Sequence, residues 1–150
     1  MKNAILGSWE IEAVESRYDD GSVDHPFGSA PRGLLVYTSE GRMTVQLSRA
    51  DRSSFASGDL WKGTPEELGA AFSSYVAYFG RYELNEEEGV VVHHVDGSVF
   101  PNWTGNVQRR TLSLEGDHLV LSTAPMLIGN RVRTSVLVWK RASRSRTDQG

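Results

Sequence analysis

The sequence predicts an all-β protein: an eight-stranded antiparallel up-and-down barrel with one inserted α-helix at about residues 64–79. Three observations carry this. Apolar residues recur at every second position in a series of short runs, each bounded by Gly, Asn, Asp or Pro. A single stretch has the punctuation of a helix. Most connections between runs are short, which pairs neighbouring strands antiparallel, and closing such a sheet removes its exposed edges. A two-sheet sandwich is the main rival.

The elements follow in order. From Ile5 to Tyr18, Trp9, Ile11 and Ala13 share one face and Glu10 and Glu12 the other, the pattern of a half-buried strand. Residues 19–33, DDGSVDHPFGSAPRG, form a long loop, and loops of that length in compact domains tend to be functional or mobile. GLLVYTSEGRMTVQLSR reads as two strands joined at Ser39-Glu40-Gly41, with Met43, Val45 and Leu47 on one face of the second. Thr64-Pro65-Glu66-Glu67 opens the helix: Thr64 as N-cap, Pro65 at the first turn, Glu67 completing a capping box. Leu68, Ala71, Phe72, Tyr75 and Phe79 continue it as an apolar stripe, and Gly80 ends it. The remaining strands are FGRYEL, GVVVHHV, NVQRRTLSL, HLVLST and RVRTSVLVWKR, with turns at Asn85–Gly89, Glu115–Asp117 and Ile128–Asn130.

The chain has 150 residues, which suits one domain, read as residues 1–141 followed by a polar, basic tail at 142–150 expected to be disordered. It has no cysteine, which excludes disulfides, thiolate metal sites and a cysteine nucleophile. The opening MKNAILGSWEIEAVE lacks the apolar run of a secretory signal, and no stretch approaches the length of a membrane span, so a cytoplasmic protein without a membrane partner is expected. A net charge of −3 argues against a nucleic-acid partner. Charge is uneven: the first hundred residues hold 8 basic and 16 acidic side chains, the last fifty 8 and 3. No G-x-S-x-G elbow, P-loop, dinucleotide fingerprint or H-E-x-x-H is present, and no cofactor is expected. The oligomeric state is not legible, a homodimer being one option.

Gly7-Ser8-Trp9 on the first strand and Trp139-Lys140-Arg141 on the last resemble the lipocalin arrangement, in which a first-strand Trp plugs the barrel base and a basic residue packs over it. GSWEI, PFG, GLLVYTSEGRM, YFGRYEL, VHHVDGSVFPNW and LVWKR, in this order, resemble the bacterial and fungal lipocalin-like domain family across roughly residues 4–141. The resemblance implies a small calycin-type barrel with an interior cavity. It implies no defined activity, although some members occur among small-molecule biosynthetic genes. The mid-chain helix and the lack of a signal and of cysteines depart from secreted lipocalins.

The stretch Val92–Trp103, VHHVDGSVFPNW, carries the candidate chemistry. Adjacent strand residues point to opposite faces, so His93 and His94 cannot both enter one cavity unless a bulge intervenes. Chelation of one metal by the pair is disfavoured, and no metal site is expected. One of the two is a candidate acid or base for catalysis; the valines on both faces do not say which. Extending the alternation of Leu112 and Leu114 backwards places Arg110 and Gln108 inside, unless the strand is flipped and Arg110 meets an acid in solvent. Tyr37 shares a face with Leu35 and Tyr82 with Leu84. Phe100 and Trp103, and Phe27 in the long loop, are expected to frame a barrel end, the same one or opposite ones. Catalytic candidates are thus His93 or His94, Arg110 and Tyr37; ligand-binding candidates are Tyr82, Gln108, Trp103, Phe100 and Phe27. Two functions are carried forward: binding of a small, largely hydrophobic organic molecule in the barrel, or cofactor-independent acid–base catalysis on such a molecule, of isomerase, cyclase or lyase type. Haem held by one histidine is a third option.

Overall fold

In the computed structural model, which describes residues 2–143, the chain forms a closed antiparallel barrel. The tail residues 144–150 lie outside the described residues. Ten strands are present among those described: β1 (Gly7–Tyr18), β2 (Val23–Asp24), β3 (Arg32–Tyr37), β4 (Arg42–Ser48), β5 (Tyr75–Asn85), β6 (Val90–Ser98), β7 (Val107–Glu115), β8 (His118–Thr123), β9 (Met126–Ile128) and β10 (Arg131–Arg141). Eight of them make the barrel, in the order β1-β3-β4-β5-β6-β7-β8-β10, and β10 returns to pair antiparallel with β1. The expected meander is therefore present. β2 and β9 are short additions that pair only with β1 and β10. The β9–β10 turn places Gly129 at φ 54 and Asn130 at φ 67, the left-handed pair that a tight hairpin turn requires.

The up-and-down path gives the two ends different characters. The base carries the short turns of β3–β4, β5–β6 and β7–β8. The four long connections, residues 19–31, 49–74, 99–106 and 124–130, all lie at the opposite end. The base is sealed by packing. Trp9 is fully buried and its indole Nε1–H donates to the Ile5 carbonyl at 2.9 Å, tying the strand to a four-residue helix, α1 (Lys2–Ile5). The Arg141 guanidinium sits 3.9 Å from the Trp9 ring centroid and donates to the carbonyls of Leu6 and Ala4. Trp139, Leu119, Tyr37 and Met43 complete this layer. The Trp-and-cation base implied by the resemblance is thus built by Trp9 and Arg141.

The inserted helix, α2, is shorter than expected. It spans Pro65–Ser73, with Ser74 as C-cap, and Tyr75 already begins β5. Its start follows the sequence reading: the Thr64 hydroxyl accepts from the Glu67 N–H at 3.1 Å, and the Glu67 carboxylate accepts from the Thr64 N–H at 2.8 Å. The stripe fails because Tyr75–Phe79 also satisfies strand alternation. Seven β4–β5 pairs, from Ser48 with Tyr75 to Arg42 with Arg81, hold these residues extended. Gly80 ends no helix. It lies inside β5, where a Cβ would come within 1.8 Å of the His94 carbonyl oxygen. α2 buries none of its residues, so Leu68 and Phe72 remain about half exposed. No helix among the described residues is long and apolar enough to cross a membrane.

Candidate functional site

A cavity of about 520 Å³ runs from the mouth of the barrel towards its base. That volume suits a small organic ligand. Its walls differ in kind. Leu35, Val45, Leu47 and Val76, from β3, β4 and β5, form an apolar side. β6, β7, β8, β10 and β1 contribute the polar His93, Gln108, Arg110, Thr123, Ser135 and Ser16, interspersed with Val14, Leu121, Leu137 and Trp139. Period-2 alternation explains both faces: each named side chain shares its strand face with a neighbour two residues away that also faces inward.

β6 carries the histidine pair. A bulge at Asp96 shifts the β5–β6 register between Phe79 and Gly80, but it lies beyond the pair, so the split holds. His93 turns inward and is 2% exposed. His94 turns outward, where its Nε2 lies 3.6 Å from a Glu83 carboxylate oxygen. Both nitrogens of His93 are engaged by tyrosines: Nε2 lies 2.7 Å from the Tyr37 hydroxyl and Nδ1 lies 2.7 Å from the Tyr78 hydroxyl. Burial above all, then the Arg110 charge and His94, lowers the His93 pKa to about 3, so the ring is neutral near pH 7.

A neutral imidazole has one donor and one acceptor, so one tyrosine donates to it and the other accepts. Tyr37 is buried, and its hydroxyl meets no other acceptor among the described residues. Leaving its proton unpaired would cost about 1–3 kcal/mol. Tyr37 therefore donates to Nε2, and Nδ1–H donates to the Tyr78 oxygen. That leaves the Tyr78 proton directed to the cavity, which Tyr78 lines. Burial pushes the Tyr78 phenol up, an effect the Arg110 guanidinium partly opposes. Burial also pushes Tyr37 up, so both phenols are protonated near neutral pH.

The other candidates fall into three groups. Gln108 and Arg110 line the cavity together, Arg110 donating to Gln108 Oε1 at 3.1 Å, while the neighbouring Arg109 turns outward to Glu88 at 2.7 Å. Phe27 and Trp103 both line the cavity near the mouth, so the loops that carry them meet at one end. Arg49 donates to the Pro26 carbonyl at 3.0 Å and fixes the Phe27 loop. Phe100 lies outside. It stacks edge-on against Trp103 at 5.4 Å and against Phe72 of α2 at 6.4 Å, forming a surface groove whose inner wall is Trp103. Tyr37 and Tyr82 lie beneath the cavity rather than in its lining. Tyr82 packs edge-on to Tyr37 at 4.7 Å and donates to the Thr38 carbonyl at 2.7 Å.

Several lining residues were not singled out from sequence: Tyr78, Ser16, Arg133, Asn106 and Trp139 as a cavity wall. The signal for Tyr78 was the alternation Val76, Tyr78, Gly80, Tyr82, hidden by the competing helical stripe. The signal for Arg133 was its shared face with Ser135, Leu137 and Trp139. Among the described residues no cluster of three or more His, Asp or Glu side chains could hold a metal ion.

With this barrel, base and cavity on view, the class of the protein is plain: residues 6–142 match the lipocalin-like domain family, and the chain belongs to it. It is similar to the 4'-hydroxy-3'-methoxypropiophenone carrier protein ppsC of Aspergillus oryzae (strain ATCC 42149 / RIB 40). The two are 33% identical over 109 residues, which cover 68% of this chain and 98% of that protein.

Proposed function

We propose that this protein binds and carries a small, largely apolar organic molecule in its barrel. The cavity carries this reading: about 520 Å³, open at the mouth, largely apolar in its lining, with Tyr78, Arg110 and Gln108 as polar groups. An apolar body is held by burial, and the polar groups fix its orientation. The name of the fungal relative, a carrier of an aromatic ketone, agrees with it. Acid–base catalysis has less support. Both His93 nitrogens are occupied by tyrosines, its ring is held neutral with a pKa of about 3, and the Tyr37 hydroxyl is spent on Nε2.

The test is titration with a neutral, environment-sensitive dye such as Nile red, followed by displacement with 4'-hydroxy-3'-methoxypropiophenone. Saturable 1:1 binding of the dye is expected, with loss of signal as competitor is added. A protein that binds neither compound saturably does not carry ligands of this kind.

A further inference from the structure

Among the described residues, the cavity is lined by two arginines, Arg110 and Arg133, and by no Asp or Glu. The carboxylate-paired arginines among the described residues are others: Arg17, Arg42, Arg49, Arg81, Arg109 and Arg131. Arg110 spends its donors on neutral oxygens: Gln108 Oε1 and the Arg109 carbonyl, each at 3.1 Å, and the Tyr78 hydroxyl. The Arg133 Nε–H is buried and has no hydrogen-bond partner among the described residues.

Two more buried groups on the same lining lack partners. The Trp139 Nε1–H and the Ser16 hydroxyl are unpaired among the described residues, in side chains 1% and 0% exposed. Strand register gathers much of this wall at one level. Arg110 pairs with Thr123, the Thr123 hydroxyl accepts from the Ser135 N–H at 3.0 Å, and Ser135 pairs with Ser16. Tyr78 adds a hydroxyl proton left over from the His93 bridge.

Such a wall offers N–H and O–H groups in excess of acceptors, and positive charge without an anion. Each feature is unfavourable when water is excluded, and each is relieved by one kind of ligand group. A negatively charged oxygen supplies several acceptor sites and offsets a guanidinium, which binds oxyanions through a planar fork. A neutral His93 adds no third positive charge. We propose that the molecule bound carries an oxyanion, either a carboxylate or an acidic phenolate, on an otherwise apolar body, with Arg110 and Arg133 as its charge partners. This rests on the small-molecule binding read from the same cavity.

The experiment compares ligands of one shape and different charge by isothermal titration at neutral pH: 2-naphthoate against 2-naphthalenemethanol, and 4-nitrophenol against its methyl ether. The anion of at least one pair is expected to bind about tenfold tighter than its neutral partner. Bound 4-nitrophenol gives an independent optical readout, because a tenfold preference for phenolate lowers its pKa by about one unit. A preference confined to naphthoate identifies a carboxylate ligand; one confined to nitrophenol identifies a phenolate. Arg110→Gln and Arg133→Gln should each shrink the preference for the anion several-fold, read as the ratio of anion to neutral-partner affinity within the same variant. Should a variant fail to fold, the comparison in the unmodified protein still decides. A protein that takes the neutral dye yet binds the neutral partners as well as the anions, or binds neither, overturns the proposal. Failure to bind the dye as well would instead remove the carrier function itself.

Discussion

His93 should make the protein lose stability in mild acid, by an amount the structure sets. The ring is buried between Tyr37 and Tyr78, on β3 and β5, with Arg110 on β7 and His94 on its own strand disfavouring a second proton. Its folded pKa of about 3 lies below the ordinary value of 6.5. As pH falls through 6.5, the unfolded chain takes up a proton that the folded chain refuses. Stability is therefore full above pH 6.5 and declines until pH reaches about 3. Between pH 8 and pH 5 the loss from this one group is about 2 kcal/mol, and it approaches about 5 kcal/mol by pH 3. Asp20, Asp51 and Glu67, whose pKa values are lowered by hydrogen bonds, also lose stability in acid, but they are common to a His93 variant. The assay is urea unfolding of the unmodified protein and of His93→Gln at pH 8 and pH 5. Gln keeps a donor and an acceptor between the tyrosines and cannot titrate. The unmodified protein should lose about 2 kcal/mol more than the variant. The His93 ring nitrogen resonances should also stay fixed over this range. Equal losses in the two proteins, or a ring that protonates by pH 5, would refute the claim that burial holds it neutral.

Two further outcomes follow from particular contacts. Gly80→Ala places a methyl 1.8 Å from the His94 carbonyl oxygen and 3.0 Å from the Asp96 nitrogen, both backbone, so the β5–β6 ladder must open. A cost of about 1–3 kcal/mol is expected, read as a fall in Tm of roughly 3–10 °C, and an unchanged Tm would show that the ladder yields freely. Arg141→Ala removes the cation over Trp9 and the donors to Leu6 and Ala4, so amide protection of residues 2–6 should fall by at least about tenfold, with partial rescue by Arg141→Lys, which restores charge but not the fork.

Much of the barrel was legible because strand alternation is a local property. Met43, Val45 and Leu47 had to share a face, Gln108 had to follow Arg110, and His93 and His94 had to part. The capping box at Thr64 was legible for the same reason: donor and acceptor lie three residues apart. Residues 75–79 were not, since Tyr75 and Phe79 fit a helical stripe as well as a strand. The choice fell to Gln46, Leu47 and Ser48, about 30 residues away, which pair with Ala77, Val76 and Tyr75. With that segment misread, Tyr78 was missed.

Local alternation thus sets which side chains travel together, the faces of each strand and the separation of the two histidines, while the Trp and basic residue at the barrel base came from the resemblance to the lipocalin arrangement. Which face is inside, and what meets there, emerges only from the closed barrel. His93 is flanked by tyrosines 56 and 15 residues distant in the chain, and Ser16, Arg110 and Arg133 line one wall. The physical reason is that period-2 alternation fixes relative direction within a strand, whereas the inside of a barrel is defined only when β1 and β10 close and the register of every ladder is set.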